Sequence, residues 1–138
     1  MYITVATGQH NLLYRIIFQV SMTYYRKKYL EPTFLLVSDD TAGCKEHLTA
    51  DDVRIIGKIR ATMALSYIIL SLEGGSPSSD MALMSTCDRS IIDYGSYGVW
   101  GAVLAGWEVL TPGSTNAAWI FRWQTGGGRM NWTVLEGF

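Results

Sequence analysis

Arg89-Ser90-Ile91-Ile92-Asp93-Tyr94-Gly95-Ser96-Tyr97-Gly98-Val99-Trp100-Gly101-Ala102-Val103-Leu104-Ala105-Gly106 is the stretch that decides the fold. Arg89 to Tyr94 reads as a strand with an apolar centre, Gly95 to Gly98 as a tight turn, and Val99 to Ala105 as a helix. Gly106 suits the left-handed cap that ends a helix. Gly98, Gly101, Ala102 and Ala105 make a stripe of small residues that lets this helix lie close to a sheet or another backbone. Glu108-Val109-Leu110-Thr111 is the next strand, and Pro112-Gly113 ends it.

The same rhythm runs upstream. Leu12, Leu13, Ile16, Ile17, Val20 and Tyr24 recur at helical spacing, which predicts a helix over 11–29 with those residues on its apolar face. Arg26, Lys27 and Lys28 fall in its last turn, where cations complement the carbonyl end of the dipole and are read as a solvated cluster. Thr33-Phe34-Leu35-Leu36-Val37 is a continuous apolar run between Pro32 and Ser38-Asp39-Asp40. That pattern belongs to a strand covered on both faces, as in a parallel sheet. A short helix over Thr41–Leu48 and a strand over Asp52–Ile56 follow. Residues 57–72 show no clean face and are read as a helix or an insertion. Ser76 can cap a helix with Pro77 at its first position, Asp80 in its first turn and Leu83, Met84 and Cys87 as apolar filler. Alternating helices and strands specify an α/β fold with a doubly wound parallel sheet. Beyond Pro112 the pattern weakens.

At 138 residues and 15.4 kDa the chain makes one domain, and its 49% apolar content supplies a core without disulfide support. Only 17% of residues are charged, against ~25% in ordinary domains. A net charge of −1 and a pI of about 6.1 exclude nucleic-acid binding through a broad basic surface. The cysteines, Cys44 and Cys87, are read as buried thiols, and with His10 and His47 they complete no zinc pattern. The opening residues carry no basic segment followed by an apolar run, so no signal peptide is evident. Ala61 to Leu72, the longest greasy stretch, is 12 residues long, short of the ~20 a membrane helix needs. Asn131-Trp132-Thr133 is a glycosylation acceptor triplet, usable in the secretory pathway.

Chemistry concentrates at the loop–helix junctions. After the strand ending near Tyr94, the first N–H groups of the next helix lack intrahelical partners and, with the dipole, favour an anion such as phosphate. Glycines at 95 and 98 allow close approach, and Ser96 supplies a hydroxyl. A phosphate site and a purely steric turn both fit this spacing. Asp39 and Asp40 follow a buried strand directly, and Asp80 opens a helix; ligands in open α/β sheets lie beyond the carboxyl ends of strands. Each aspartate also has a structural reading as a cap or a dipole partner. No nucleophile–base pair, Walker loop or dinucleotide fingerprint is present.

Glu73-Gly-Gly-Ser-Pro-Ser-Ser-Asp80-Met-Ala-Leu-Met-Ser-Thr-Cys87, continuing through Gly95-Ser-Tyr-Gly98-Val-Trp-Gly-Ala-Val-Leu-Ala-Gly106, resembles the C-terminal half of the galactoside α-1,2-fucosyltransferases. That family reads S-P-x-x-D-x-A-L-x-x-x-C, then T/S-F/Y-G-x-W-x-A-x-L-A-G. Phe34 to Glu46 resembles the family's strand, its S-D/N turn and its cysteine-bearing helix, and the blocks together cover about half the chain. The resemblance implies a Rossmann-like half of a two-domain GT-B glycosyltransferase. The donor would be GDP-fucose and the acceptor a β-galactoside glycan. Transfer of L-fucose to the 2-OH of a terminal galactoside would proceed with inversion and without metal or other cofactor. It implies further that Asp80 faces the guanine, that Ser96 and its neighbours Gly95, Tyr97 and Gly98 hold the diphosphate, and that Asp39 lies near the nucleotide. A lumenal place on the Golgi membrane, through an anchor outside this sequence, is implied as well.

The departures are equally specific. The family's H-x-R-R-x-D motif, due shortly before the 11–29 helix, is missing, and with it an arginine that would neutralise the leaving diphosphate. Gly106-Trp107 replaces a glycine pair. Met1–Val20 and Lys58–Leu72 fall outside the resemblance and read as foreign to it, and an N-terminal acceptor domain is expected to be lacking. The sequence therefore leaves two alternatives to a working transferase half: a non-catalytic module for GDP or a GDP-sugar, and a degenerate fragment.

Overall fold

A computed structural model describes residues 1–7, 12–38, 41–56, 77–92, 96–106, 108–112 and 131–135. In chain order the elements are β1 (Tyr2–Thr7), α1 (Leu12–Lys28), β2 (Thr33–Ser38), α2 (Thr41–His47), β3 (Val53–Ile56), α3 (Pro77–Ser85), β4 (Arg89–Ile92), α4 (Ser96–Ala105), β5 (Glu108–Pro112) and β6 (Trp132–Leu135). The strands form one sheet in the order β3-β2-β1-β4-β5-β6. Every neighbouring pair is parallel. This is the doubly wound, Rossmann-like arrangement that the apolar strands and their alternating helices predict.

Side-chain alternation explains the two layers of core. Phe34 and Leu36 of β2 point to one face, where Ile17, Phe18, Met22 and Tyr25 of α1 and Cys44 of α2 cover them. Leu35 and Val37 point to the other, with Leu83 and Met84 of α3 and Val99 and Ala102 of α4 in the same cluster. A sheet buried on both faces needs this near-continuous apolar run, so the reading of 33–37 holds. Cys44 and Cys87 are buried in clusters on opposite faces, and the sheet keeps them apart.

Two strands escaped the sequence pattern. Tyr2–Thr7, expected to be foreign to the rest, is a central strand paired with both β2 and β4. Ile3 is fully buried between them. Trp132–Leu135, where the pattern weakens, adds an edge strand beside β5. The region 57–72 lies outside the described residues.

The apolar face of α1 is also shifted from the predicted one. Ile17, Phe18, Ser21, Met22 and Tyr25 are buried, whereas Ile16 and Val20 stand 42% and 37% exposed. The helix carries apolar residues on more than one side, and the side holding the large aromatics wins. Burying Phe18 alone is worth about 1.5–3 kcal/mol. Ser21 tolerates the interior because its hydroxyl donates to the Ile17 carbonyl at 2.7 Å.

The helix after β4 begins at Ser96, not Val99. Tyr97 and Gly98 are therefore helical and not part of a turn, which corrects the reading of Gly95 to Gly98 as one tight turn. Gly98 is buried within this first turn. Gly106 ends α4 as predicted: its φ is +77°, and its N–H donates to the Ala102 carbonyl at 3.0 Å, the bond of an αL cap.

Candidate functional site at the carboxyl edge of the sheet

Parallel strands put all their carboxyl ends on one edge. In the middle of the sheet these ends are level, with Ala6 of β1 paired to Val37 of β2 and to Ile92 of β4. From β1 the chain goes to α1 on one face; from β4 it goes to α4 on the other. The winding therefore reverses between β1 and β4, which is the topological switch point, the place at which such sheets take ligands. The α3 helix reaches the same edge. Only Thr86 to Asp88 separate it from the start of β4, so its opposite end, Pro77 to Asp80, lies at the carboxyl side.

The predicted residues distribute as follows. Ser96 is the first residue of α4, immediately beyond the switch point, and Tyr97 and Gly98 sit in the same first turn. Asp80 lies in the first turn of α3. Since α3 and α4 pack on the same face of the sheet, their opening turns come together. Asp39 and Gly95 fall outside the described residues, although Ser38 and Ile92, which precede their loops, both end strands at this edge. Asn131 is exposed and stands at the other edge, where its carbonyl receives the Val109 N–H at 2.9 Å.

Electrostatics single out Asp80 and Tyr97. Burial pushes the half-buried Asp80 carboxyl above its ordinary range. Burial likewise raises the Tyr97 hydroxyl, the Asp80 charge adds to this, and a hydrogen bond from the Met81 backbone opposes it. Among the described residues, no set of three or more His, Cys, Asp and Glu side chains is placed to hold a metal ion.

At this edge the chain presents the switch point of the sheet, the opening turns of α3 and α4, and the Asp80 carboxyl. The sequence pattern of the family described as Glycosyl transferase family 11 matches residues 2–135. The chain belongs to glycosyl transferase family 11. That match begins at Tyr2, so the opening of the chain lies within the family pattern. Over 88 residues the chain is 33% identical to the galactoside 2-alpha-L-fucosyltransferase Sec1 of Mus musculus, covering 62% of this chain and 20% of that protein. It is 31% identical over 90 residues to galactoside 2-alpha-L-fucosyltransferase SEC1 of Bos taurus, covering 64% and 21%. It is 30% identical over 92 residues to galactoside alpha-(1,2)-fucosyltransferase 2 of Sus scrofa, covering 65% and 23%. The chain thus spans about a fifth to a quarter of the length of these relatives. No solved structure matches it.

Sequence reasoning missed the polar cluster at the opposite, amino edge. Glu108, only 7% exposed, accepts from Lys28 Nζ at 2.6 Å and from the Tyr29 hydroxyl at 2.5 Å. Arg89 Nε lies 3.3 Å from the same carboxylate and donates to the Tyr29 hydroxyl at 3.2 Å. Burial works to raise the Glu108 carboxyl, but the Lys28 and Tyr29 hydrogen bonds outweigh it and hold it below the ordinary range. Arg26 grips Asp52 with two bonds, at 2.6 and 2.7 Å. The basic end of α1 is solvent-exposed, as expected, and Arg26 and Lys28 are in addition paired with acids that are distant in sequence. Opposite-charge pairing across 26 and 80 residues leaves no local trace in the chain.

Proposed function

We propose that this chain is the donor-binding half of a galactoside α-1,2-fucosyltransferase of GT-B architecture, with GDP-fucose seated at the carboxyl edge. What supports the reading is the switch point between β1 and β4, faced by the opening turn of α4, in a member of glycosyl transferase family 11. In this reading the α4 N–H groups and the Ser96 hydroxyl hold the diphosphate, Gly95 and Gly98 let it approach, Asp80 takes the guanine, and Asp39 borders the nucleotide. The 2-OH of a terminal β-galactoside attacks fucose C1 from the face opposite GDP. The new C–O bond forms as the C1–O bond to GDP breaks, the hydroxyl proton passes to a base or solvent, and the anomeric centre inverts. No metal or other cofactor is needed if helix N–H groups and cations carry the leaving diphosphate.

Glycosyl transfer also asks for positive charge at that diphosphate. The chain between β1 and α1 reads Gly8-Gln9-His10-Asn11, without arginine. We therefore expect GDP-fucose binding with little turnover, and this favours the non-catalytic nucleotide module as the second reading. Isothermal titration with GDP tests the binding: measurable heat that Ser96→Ala and Asp80→Ala both weaken supports it, and silence at millimolar GDP refutes it. A transferase assay with GDP-fucose and a β-galactoside separates the readings, since turnover at the level of a full-length relative would overturn the expectation of weak activity.

A lumenal Golgi setting fits the family reading. Among the described residues no helix is long and apolar enough to cross a membrane. In that setting a glycan on the exposed Asn131 would stand on the amino edge, clear of the donor.

A further inference from the structure

Gly101 stands inside α4 with ordinary helical backbone, where glycine weakens a helix and nothing in the conformation asks for it. What asks for it is Met84 of α3. A Cβ at position 101 would come within 2.9 Å of the Met84 sulfur and 3.1 Å of the Met84 Cβ. Rotating the thioether relieves the first contact but not the second, because Cβ moves only with the α3 backbone. Met84 is fully buried, so its side chain has no solvent to turn into. The contact therefore sets how closely the two helices approach.

That spacing reaches the carboxyl edge over a short distance. Met84 is four residues beyond Asp80 and Gly101 five beyond Ser96, about 6 and 7.5 Å along the two axes. Both helices run from the carboxyl edge to the amino edge. Beyond its trailing end α3 is tied to β1: the Asp88 N–H donates to the Tyr2 carbonyl at 2.8 Å, and the Tyr2 N–H donates to the Asp88 carboxylate at 2.9 Å. With that end fixed, a wedge at Gly101 would tilt the opening turn of α3 away from that of α4.

We propose that Gly101 and Met84 are positioning residues for the donor nucleotide: their contact sets the span between Asp80 and the opening turn of α4, and so matches the edge to a ligand with a base at one end and a diphosphate at the other. The inference rests on the donor reading above and adds to it two buried residues that act through the helices they hold. A ligand that engages two helices gains from both only when their separation fits it, since the second contact then costs no further freedom. A wrong separation makes it give up one end.

The test is titration calorimetry with GDP on the full chain, on Gly101→Ala, on Gly101→Ala with Met84→Ala, and on the wild type and Gly101→Ala each carrying Asp80→Asn. Thermal melting checks that every variant is folded at the working temperature. Gly101→Ala is expected to bind GDP roughly 3- to 10-fold more weakly, the worth of one net hydrogen bond lost at the misplaced end. Adding Met84→Ala makes room for the new carbon and brings most of the affinity back. Asp80→Asn costs less on the Gly101→Ala background than in the wild type, because base and diphosphate are no longer held together. If Gly101→Ala melts below the working temperature, Met84→Ile crowds the same contact from the α3 side and carries the same expectations for GDP and for Asp80→Asn. Unchanged GDP affinity in the folded variant overturns the inference and leaves the donor reading standing. A loss that Met84→Ala does not recover, or losses that simply multiply with that of Asp80→Asn, places the effect elsewhere than in the helix spacing and overturns it too. Absence of GDP binding by the wild type removes the donor reading, and the inference falls with it.

Discussion

The two edges of the sheet are built on opposite principles. At the amino edge, charges are matched: Glu108 is held by Lys28, Tyr29 and Arg89, Asp52 by Arg26, and Asp88 by the Tyr2 N–H at 2.9 Å. At the carboxyl edge, Asp80 is half-buried and its ionisation is resisted by burial. The first edge lowers the Glu108 and Asp52 carboxyls, and the second raises that of Asp80. Stability is concentrated at the amino edge, where the polar groups have partners in the fold.

The largest break in this contrast comes from Glu108→Ala. It leaves Lys28, Arg89 and the Tyr29 hydroxyl without their shared acceptor, and we expect a loss of about 2–4 kcal/mol in urea unfolding. That is below the full cost of breaking a buried pair, because Lys28 reaches solvent. A loss under roughly 0.5 kcal/mol, within the range of an ordinary surface change, would mean the amino edge is not the clamp described here.

Gly101→Ala comes next. In an open helix the change would stabilise by about 0.5–1 kcal/mol. Here the added carbon would stand 2.1 Å from Met84 Cε, inside a fully buried contact. We expect a net loss of about 1–2 kcal/mol, the scale of overpacking, and recovery when Met84→Ala is added. If Gly101→Ala stabilises the wild type, then α3 and α4 are not locked together and the spacing of their opening turns loses its support.

Acid titration sharpens the same contrast more gently. Glu108 and Asp52 have folded values below their ordinary ones. Their contribution is complete above the unfolded values of about 4.3 and 3.9 and disappears as pH falls through the lower folded values. Unfolding free energy should therefore drop on acidification below about pH 4.3, and Glu108→Gln should flatten that drop. A profile in Glu108→Gln as steep as in the wild type would show that other groups control the acid limb.

Asp80→Asn should have the smallest effect, and of opposite sign. A raised folded value means that Asp80 favours folding in its protonated form and loses that advantage as pH rises past its unfolded value. At neutral pH, asparagine removes the buried charge, so the free protein should melt slightly higher while GDP binding weakens. Lower melting at neutral pH would place Asp80 among the structural acids and dissolve the contrast between the edges.

Much of the fold could be read directly along the chain. Phe34 to Val37 announced a doubly covered strand, Pro77 a helix start, and Gly106 a helix end, because each depends on local chemistry or on a short periodic pattern. Tyr2–Thr7 could not be recognised as a central strand: its six residues become one only by pairing with β2 and β4, Tyr2 with Thr33 and Ile3 with Arg89, 31 and 86 residues further on. The face of α1 was misplaced for a similar reason. Periodicity identifies a helix, but with apolar residues at 16, 17, 18, 20, 22, 24 and 25 only the neighbouring strands select the buried side.

For the candidate site the division runs between residue type and partner. The sequence by itself determined the α/β class, the glycine-rich junction before α4, the presence of Asp80 and Ser96 at helix openings, and the lack of arginine between Thr7 and Leu12. Only the tertiary structure decided that Tyr97 is helical and faces α3, that β1 stands at the switch point, and that the basic end of α1 is clamped to Asp52 and Glu108. Caps, turns and short apolar runs act through the backbone within a few residues. Charge pairing, helix-to-helix contact and strand order depend on chain segments brought together from far apart, and no local pattern carries them.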